Sequence, residues 1–337
     1  SQPVSGALAD RHGAGRVMGG GAMLLAVGFA LPAALPHPAI ILVGIGVFTG
    51  MGIACTGTGT ALAAVGRAAT PERRAELTGL VMAGGSLGQA GMVPLVQGLI
   101  SELGATVALG ILAAIVLLIV PMSLAVEWRQ PGRFRAANPA VGLAGLPSLA
   151  RRAMAERDYA LLTTGFFACG FQLGFLTAHL PTHLTLCGLP AGVGALALMT
   201  IGIFNIPGSW ICGRISNVIR PERALGAIYM LRSAAILAFI AVPPTSSGTL
   251  AFAAVMGFVW LGPIPLISAA IAQRFGTANL GALYGICYLS HQFGSFLGAG
   301  SGAILLDVTG SYAAFWSVMI AVGIAASVAT WQVRQPP

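Results

Sequence analysis

Residues 103–126 read Leu103-Gly-Ala-Thr-Val-Ala-Leu-Gly-Ile-Leu-Ala-Ala-Ile-Val-Leu-Leu-Ile-Val-Pro-Met-Ser-Leu-Ala-Val126, 24 positions without a charge, bounded by Glu102 and by Glu127-Trp128-Arg129. As a helix this stretch is about 36 Å long, enough to cross a hydrocarbon core of roughly 30 Å. Outward from it, nine more segments have the same character: 17–35, 39–65, 77–100, 159–182, 191–212, 224–242, 249–273, 283–306 and 311–333. Ten spanning helices are therefore expected. Glycine is frequent inside them, 47 in the chain, as suits helices that pack closely in lipid.

The whole composition agrees with that reading. Of 337 residues 56% are hydrophobic and 8% charged, with mean hydropathy +0.87, whereas a soluble domain is about one quarter charged. A bilayer accommodates so much apolar surface if each segment satisfies its own backbone as a helix. The fold class is thus an all-α membrane protein, with the lipid bilayer as its surroundings.

The net charge of +8 does not point to nucleic acid, because that requires a basic patch with stacking aromatics on a soluble surface. All 17 basic residues are Arg, and 16 of them lie between or beside the apolar segments. They fall in alternate connections: Arg11 and Arg16; Arg67, Arg73 and Arg74; Arg129, Arg133, Arg135, Arg151, Arg152 and Arg157; Arg214, Arg220 and Arg223; Arg274; and Arg334. The intervening connections, such as 36–38, 101–102, 183–190, 243–248 and 307–310, have none. By the positive-inside rule the Arg-bearing connections and the C-terminus are expected in the cytoplasm, and the chain in the plasma (inner) membrane.

The five cysteines, Cys55, Cys169, Cys187, Cys212 and Cys287, show no paired spacing, and four lie in apolar runs. They read as small packing residues, with no disulfide framework, metal site or cofactor expected. No phosphate-binding loop and no H-E-x-x-H constellation is present, which argues against an ATP-driven machine and against an intramembrane enzyme.

The chain also repeats itself. Gly6 and Gly213, Gly50 and Gly257, and Arg67 and Arg274 are each 207 apart, while Gly79 and Gly285, and Gly88 and Gly294, are 206 apart. Two homologous halves in parallel orientation are expected: an N-terminal helical half over 1–126 with four full spans, a cytoplasmic linker over 127–157, and a six-helix half over 158–337. The mismatch of four against six, with Ser1 rather than Met at the start, leads to the expectation that the first span and most of the second are missing, through truncation of the gene or because the chain is a piece of a longer one. In the linker, Leu146, Leu149, Ala150, Ala153 and Met154 face away from Arg151, Arg152 and Arg157, a pattern suited to the membrane surface.

Gly6-Ala-Leu-Ala-Asp10-Arg11-His-Gly13-Ala-Gly15-Arg16 resembles the G-x-x-x-D-R-x-G-R-R loop motif of the major facilitator superfamily. Further stretches resemble that superfamily's bacterial monocarboxylate-transporter-like and oxalate/formate-antiporter-like branch: Ala64-Val-Gly-Arg67 with Pro71-Glu-Arg-Arg74, Gly84-Gly-Ser-Leu-Gly-Gln89 with Pro94-Leu-Val-Gln97, Gly165-Phe-Phe-Ala-Cys-Gly-Phe-Gln172, Thr177-Ala-His179-Leu-Pro181, Tyr229-Met-Leu-Arg232 and Ser290-His291-Gln292-Phe-Gly294. The resemblance implies the major facilitator fold of two six-helix pseudo-repeats. It also implies a latch role for the Asp of the loop motif, here Asp10, with Gly6, Arg11, Gly13 and Arg16 around it; Arg11 and Arg16 read equally well as topology anchors. Two departures stand out. The second copy of the motif, Gly213-Arg-Ile-Ser-Asn217, has Asn in place of an acid, and span five lacks the Gly-Pro and paired glycines of drug/proton antiporters.

Within the spans a few polar groups bear on function. Arg232 lies near mid-bilayer, where a charge costs at least ~2.5 kcal/mol, and none of the nine carboxylates lies within a span. It reads either as a partner for a substrate carboxylate or as a structural arginine bonded to neighbouring helices. His291 and Gln292 sit in a span that the resemblance puts beside the cavity; His291 reads as a proton carrier or as a neutral, satisfied His. Gln172, His179, Asn205 and Gln89 either line a pathway or glue helices. Trp260, followed by Gly262-Pro263 and Pro265, suggests a broken helix with an aromatic wall. Taken together, these residues lead to a secondary active transporter working by alternating access, a monomer that carries a small organic anion such as a monocarboxylate with a proton or in exchange. The alternatives are a transporter of neutral solutes or drugs, and a transport-inactive fragment.

Overall fold

The computed structural model describes residues 2–129 and 141–334, without the side chains at positions 63, 66, 67, 71, 75, 89, 90, 93, 94, 97, 126, 127, 129 and 191. Gln89, Gln97 and the linker residues 130–140 therefore lie outside the described part. The described chain is helical almost throughout. In order come α1 (Gln2–His12), α2 (Ala14–Ala34), α3 (Pro38–Ile41), a π-helical stretch Leu42–Thr49, α4 (Gly50–Thr56), α5 (Thr58–Ala68), α6 (Pro71–Leu117), α7 (Ile119–Arg129), α8 (Leu146–Ala155), α9 (Arg157–Leu186), α10 (Ala191–Ile215), α11 (Pro221–Ile240), α12 (Ser246–Phe258), α13 (Pro263–Phe275), α14 (Leu280–Thr309) and α15 (Ala313–Trp331).

Eight described stretches are long and apolar enough to cross a membrane: Ala14–Ala34, Pro38–Leu62, Gly98–Ala125, Arg157–Leu186, Gly192–Ile215, Pro221–Ile240, Ser246–Phe275 and Ala313–Trp331. Each overlays one of the ten expected spans. The other two, 77–100 and 283–306, are helical within α6 and α14 but are not among the eight. The second is diluted by Ser290, His291, Gln292, Ser295 and Ser301, and the first contains positions 89, 90, 93, 94 and 97, whose side chains lie outside the described part. Between 77–100 and 103–126 the connection expected at 101–102 collapses to a sharp turn inside α6. Gly104 takes φ 81°, ψ 162°, a region essentially closed to residues with a Cβ.

The chain gathers into two compact units. One contains Ser1–Thr70, Gly91–Arg151 and Phe275–Ile286; the other contains Pro71–Ala90, Arg152–Arg274 and Cys287–Pro337. In the first, Leu146 and Leu149 of α8 pack on Ala7 and Ala282, while Met154 of the same helix is exposed. In the second, the core is an aromatic stack. Phe175 lies on Phe315 at 4.3 Å between ring centres, Phe239 lies on Phe252 at 4.3 Å, and Trp316 meets both sets edge-on.

Two glycines of the expected repeat make similar close contacts. A Cβ on Gly79 would come within 2.6 Å of the Ser209 carbonyl oxygen, and a Cβ on Gly285 within 2.6 Å of the Gln2 carbonyl oxygen. Gly79 and Gly285 are the pair 206 apart, and Gln2 and Ser209 are 207 apart. In each pair one backbone comes from 1–126 and the other from 158–337, and only hydrogen fits between them.

That crossing is testable within one helix. Gly79→Ala is expected to lower the melting temperature in detergent by several degrees, an overpacking loss of about 1–3 kcal/mol. Gly84→Ala, five residues on with nothing within 4 Å of the new methyl, is expected to leave it unchanged or raise it. Differential scanning fluorimetry of the two variants reads the difference.

Candidate functional site

The expected break in the tenth span falls between Phe258 and Pro263. Pro263 and Pro265 have no N–H to give, so the backbone groups around them need partners from elsewhere. Two residues singled out in the sequence supply them. Arg232 of α11, fully buried, donates from Nη2 to the carbonyl oxygens of Val259 and Trp260, each at 2.6 Å, and from Nη1 to the Cys169 sulfur at 3.2 Å. Asn205 of α10 is also buried, and its Oδ1 accepts from the Leu261 N–H at 3.0 Å and from the Ser209 hydroxyl at 3.0 Å. Its Nδ2 donates to the Ser86 hydroxyl at 2.5 Å. Three consecutive residues of the break, 259–261, are thus satisfied by side chains of two other helices. Arg232 places its charge against carbonyls at the C-terminal, negative end of α12, where a cation is favoured. Trp260 is half-buried at the same break.

His291 and Gln292 lie on α14. His291 is buried beside the rings of Phe166 at 4.7 Å and Tyr288 at 5.1 Å. Its Nδ1 faces Gln292 Oε1 at 3.3 Å, and its Nε2 has no hydrogen-bond partner. The helix comes this close to α9 because Gly170 has no side chain; a Cβ there would overlap the His291 carbonyl. Gln292 is exposed.

Gln172 and His179, both on α9, are engaged in packing between helices. Gln172 is fully buried and donates from Nε2 to the Met319 carbonyl at 3.1 Å, while its Oε1 finds no partner. His179 holds the Ala299 carbonyl with Nε2 at 2.7 Å and the Tyr312 hydroxyl with Nδ1 at 2.8 Å. A carbonyl can only accept, so Nε2 carries the proton and a neutral ring accepts the Tyr312 proton at Nδ1. Burial, and then the negative charge of Asp307, push the Tyr312 phenol above its ordinary range, which keeps that proton in place. Of the expected pathway residues, then, Arg232, Asn205 and Trp260 meet at one point, His291 and Gln292 are neighbours on α14, and Gln172 and His179 each have their own partners.

At the loop motif, Asp10 is buried and caps the start of α14: Oδ1 accepts from the Gly281 N–H at 3.2 Å and Oδ2 from the Ala282 N–H at 2.9 Å. These are two of the donors a helix start leaves unpaired, and a carboxylate there also meets the positive end of the helix dipole. The motif's glycines make the approach possible. A Cβ on Gly6 would overlap the Gly281 carbonyl, and Gly13 turns the chain between α1 and α2 with φ 94°. Arg11 and Arg16 are exposed. In the second copy of the motif Asn217 donates from Nδ2 to the Glu72 carbonyl at 2.8 Å, at the start of α6. The equivalent position is occupied, but by a neutral donor on a carbonyl and not by an anion on free N–H groups.

One cluster escaped the sequence reading. Arg274, read there as a topology anchor, is largely buried between Asp158 at the start of α9 (2.6 Å) and Glu222 at the start of α11 (3.4 Å). It also reaches the Arg334 carbonyl. Arg220 approaches Glu222 at 3.6 Å and donates to the Val333 carbonyl at 3.2 Å. The available signal was Pro221-Glu222, a proline and an acid at a helix start, which marks where an acid sits but not which arginine of a distant loop meets it.

Apolar helices of this length, with a polar, side-chain-stapled break in one of them, define a multi-pass helical membrane protein. The profile of the Major Facilitator Superfamily matches residues 1–276, and the chain belongs to that family, whose members are transporters and not enzymes. It is 27% identical over 329 residues to Monocarboxylate transporter 13 of Bos taurus, covering 94% of this chain and 72% of that one. It is 26% identical over 174 residues to the uncharacterized MFS-type transporter YcxA of Bacillus subtilis, covering 50% of this chain and 42% of YcxA, so the match spans less than half of that relative. Among solved structures, the E. coli fucose:proton symporter FucP superposes with TM-score 0.77 at 16% identity, covering 99% of this chain and 87% of that one. The human organic anion transporter MFSD10 superposes with TM-score 0.76 at 18% identity, covering 98% and 80%. These two likenesses establish the fold.

Removing the staple has a stated consequence. Arg232→Gln is expected to leave carbonyls of the break unpaired at about 1–3 kcal/mol each, lowering the melting temperature well beyond the effect of Leu at the exposed Gln292. Asp10→Asn is expected to cost about 0.5–2 kcal/mol through the weakened cap, read in the same thermal assay, while the protein still inserts in the membrane.

Proposed function

We propose that this chain is a secondary active transporter that works by alternating access, rocking two homologous halves about a central site, and that it carries a small organic anion of the monocarboxylate class with a proton or in exchange. The Arg-rich connections and the C-terminus lie in the cytoplasm in this reading, by the loop-charge rule. The observation that carries it is His291. A buried imidazole in an apolar bundle, beside two aromatic rings and with Nδ1 against the Gln292 amide oxygen, presents Nε2 as a lone pair able to take up a proton or to accept from an incoming donor. The relative named for monocarboxylate transport, aligned over 94% of this chain, supports the substrate class. Asp10, on the start of α14, serves here as the latch that lets go and re-forms as the transporter cycles.

A second reading is favoured by Arg232. Its guanidinium is fully buried and already bonded to two carbonyls and a thiol, which makes it a brace of the broken span and leaves the cargo free to be a neutral solute. Counterflow in liposomes separates the two. With protein reconstituted at an imposed pH gradient, labelled short-chain monocarboxylates are expected to accumulate and neutral sugars are not. His291→Gln is expected to abolish the stimulation by the gradient while exchange persists. Accumulation of sugars alone would establish the neutral-solute reading.

A further inference from the structure

Arg232 lies deep in the membrane, none of the nine carboxylates lies within a span, and the third group that its guanidinium meets is a thiol. Nη1 donates to the sulfur of Cys169 on α9 at 3.2 Å, the same length as the bond from Arg220 to the Val333 oxygen, although sulfur is the larger atom. Charge-assisted bonds are the short ones. Cys169 is buried and set in place by a thin crossing of α9 and α14: a Cβ on Gly170, the next residue, would overlap the His291 carbonyl, and one on Gly294 would overlap the Phe167 carbonyl. The sulfur has a second neighbour in His291. The Nδ1 of that ring is against the Gln292 amide oxygen, which only accepts, so Nδ1 carries the ring proton and Nε2 is a lone pair. This Nε2 is buried, near the Cys169 thiol, and without a hydrogen bond of ordinary geometry.

A guanidinium has donors only, so the Cys169 proton does not point at Arg232, and the basic lone pair near it is Nε2 of His291. Beside cations a thiol gives up its proton more readily, and a buried charge has to be paired. We propose that the Cys169 thiol hands its proton to His291 Nε2 and stands as a thiolate beside the Arg232 guanidinium and the His291 imidazolium, the counter-ion that the mid-membrane arginine otherwise lacks. The Cys169 S–H bond breaks with its electron pair left on sulfur, and an N–H bond forms at Nε2. The net charge of the three groups is unchanged, so the transfer needs neither an oxidant nor a proton from outside. Tyr288 and Cys287 on α14, Tyr229 on α11 and Cys212 on α10 are the other titratable groups around the three. Asp158 and Glu222, at the starts of α9 and α11, are held by Arg274. A proton that then arrives is taken by the thiolate, which removes the anion from beside the guanidinium that braces the Val259 and Trp260 carbonyls. Proton uptake and the broken span thereby act on the same side chain. This coupling role rests on the transport reading above; the ion triple does not.

The test is infrared spectroscopy of the purified full chain in detergent, reading the S–H stretching absorption, with transport in liposomes as a second arm. At neutral pH Cys169→Ser is expected to leave the S–H intensity as in wild type, because that thiol proton is already gone, whereas Cys55→Ser is expected to lower it. Acidification is expected to add an S–H component to wild type that Cys169→Ser lacks. His291→Gln, which removes the acceptor, is expected to show that component at neutral pH. Serine keeps the size of the side chain and an acceptor for Arg232, so Cys169→Ser folds and decides the matter even if the glutamine variant does not fold. In liposomes Cys169→Ser is expected to lose the stimulation of monocarboxylate accumulation by the pH gradient, and stimulation retained would overturn its part in coupling. S–H intensity that falls in Cys169→Ser at neutral pH would overturn the ion triple whatever the liposomes show. A band that behaves as expected, in a wild type without gradient-driven accumulation, would uphold the ion triple and sink the transport reading instead.

Discussion

Everything in this chain answers to the absence of water around its middle. In hydrocarbon a backbone N–H or C=O that lacks a partner costs several kcal/mol, so each crossing must be helical, and each place where a helix is interrupted must be repaired by something else in the protein. The interruption at 259–262 shows the repair most fully. Two prolines deny the helix its ladder there, and the exposed groups are taken up by a guanidinium from α11 and an amide from α10. A charge at mid-membrane that looks expensive in isolation is, in place, the partner that two carbonyls at a helix end require.

The same requirement organises the helix starts. Asp10 does for α14 what Arg232 does for α12, at the opposite pole of the helix dipole: an anion on free N–H groups, a cation on free carbonyls. The internal repeat then exposes an asymmetry. Asn217 stands where the second copy would carry an acid, and it bonds to a carbonyl at the start of α6, so the two copies share a position but not a polarity. The strength of the two contacts differs for that reason, since a charge-assisted bond is roughly twice a neutral one.

Family membership and fold give these devices their setting. Polar residues cluster where the helices are least apolar, along α14 and at the broken span, and the remaining helix surfaces carry Leu, Ile, Val and Met outward as a lipid-facing protein must. Within this frame His291 stands out because Nδ1 meets Gln292 while Nε2, near the buried Cys169 thiol, has no hydrogen bond of ordinary geometry. Gln172 and His179 have amide and imidazole chemistry of the same kind, yet they are tied to Met319, Ala299 and Tyr312, and act as joints between helices.

The linear chain by itself determined the class and most of the crossings, because hydrophobic length and the spacing of arginine are properties of composition and order. It also marked Asp10, Arg232, Asn205 and Trp260 as residues out of keeping with their surroundings, since a polar side chain in an apolar run is visible without coordinates. It did not reveal what each one touches. That Arg232 and Asn205 serve adjacent residues of one break, and that Arg274 lies between Asp158 and Glu222, were decided by tertiary structure. The physical reason is that a hydrogen bond depends on separation and direction in space, and those emerge only when helices distant in sequence are packed at glycine-thin crossings.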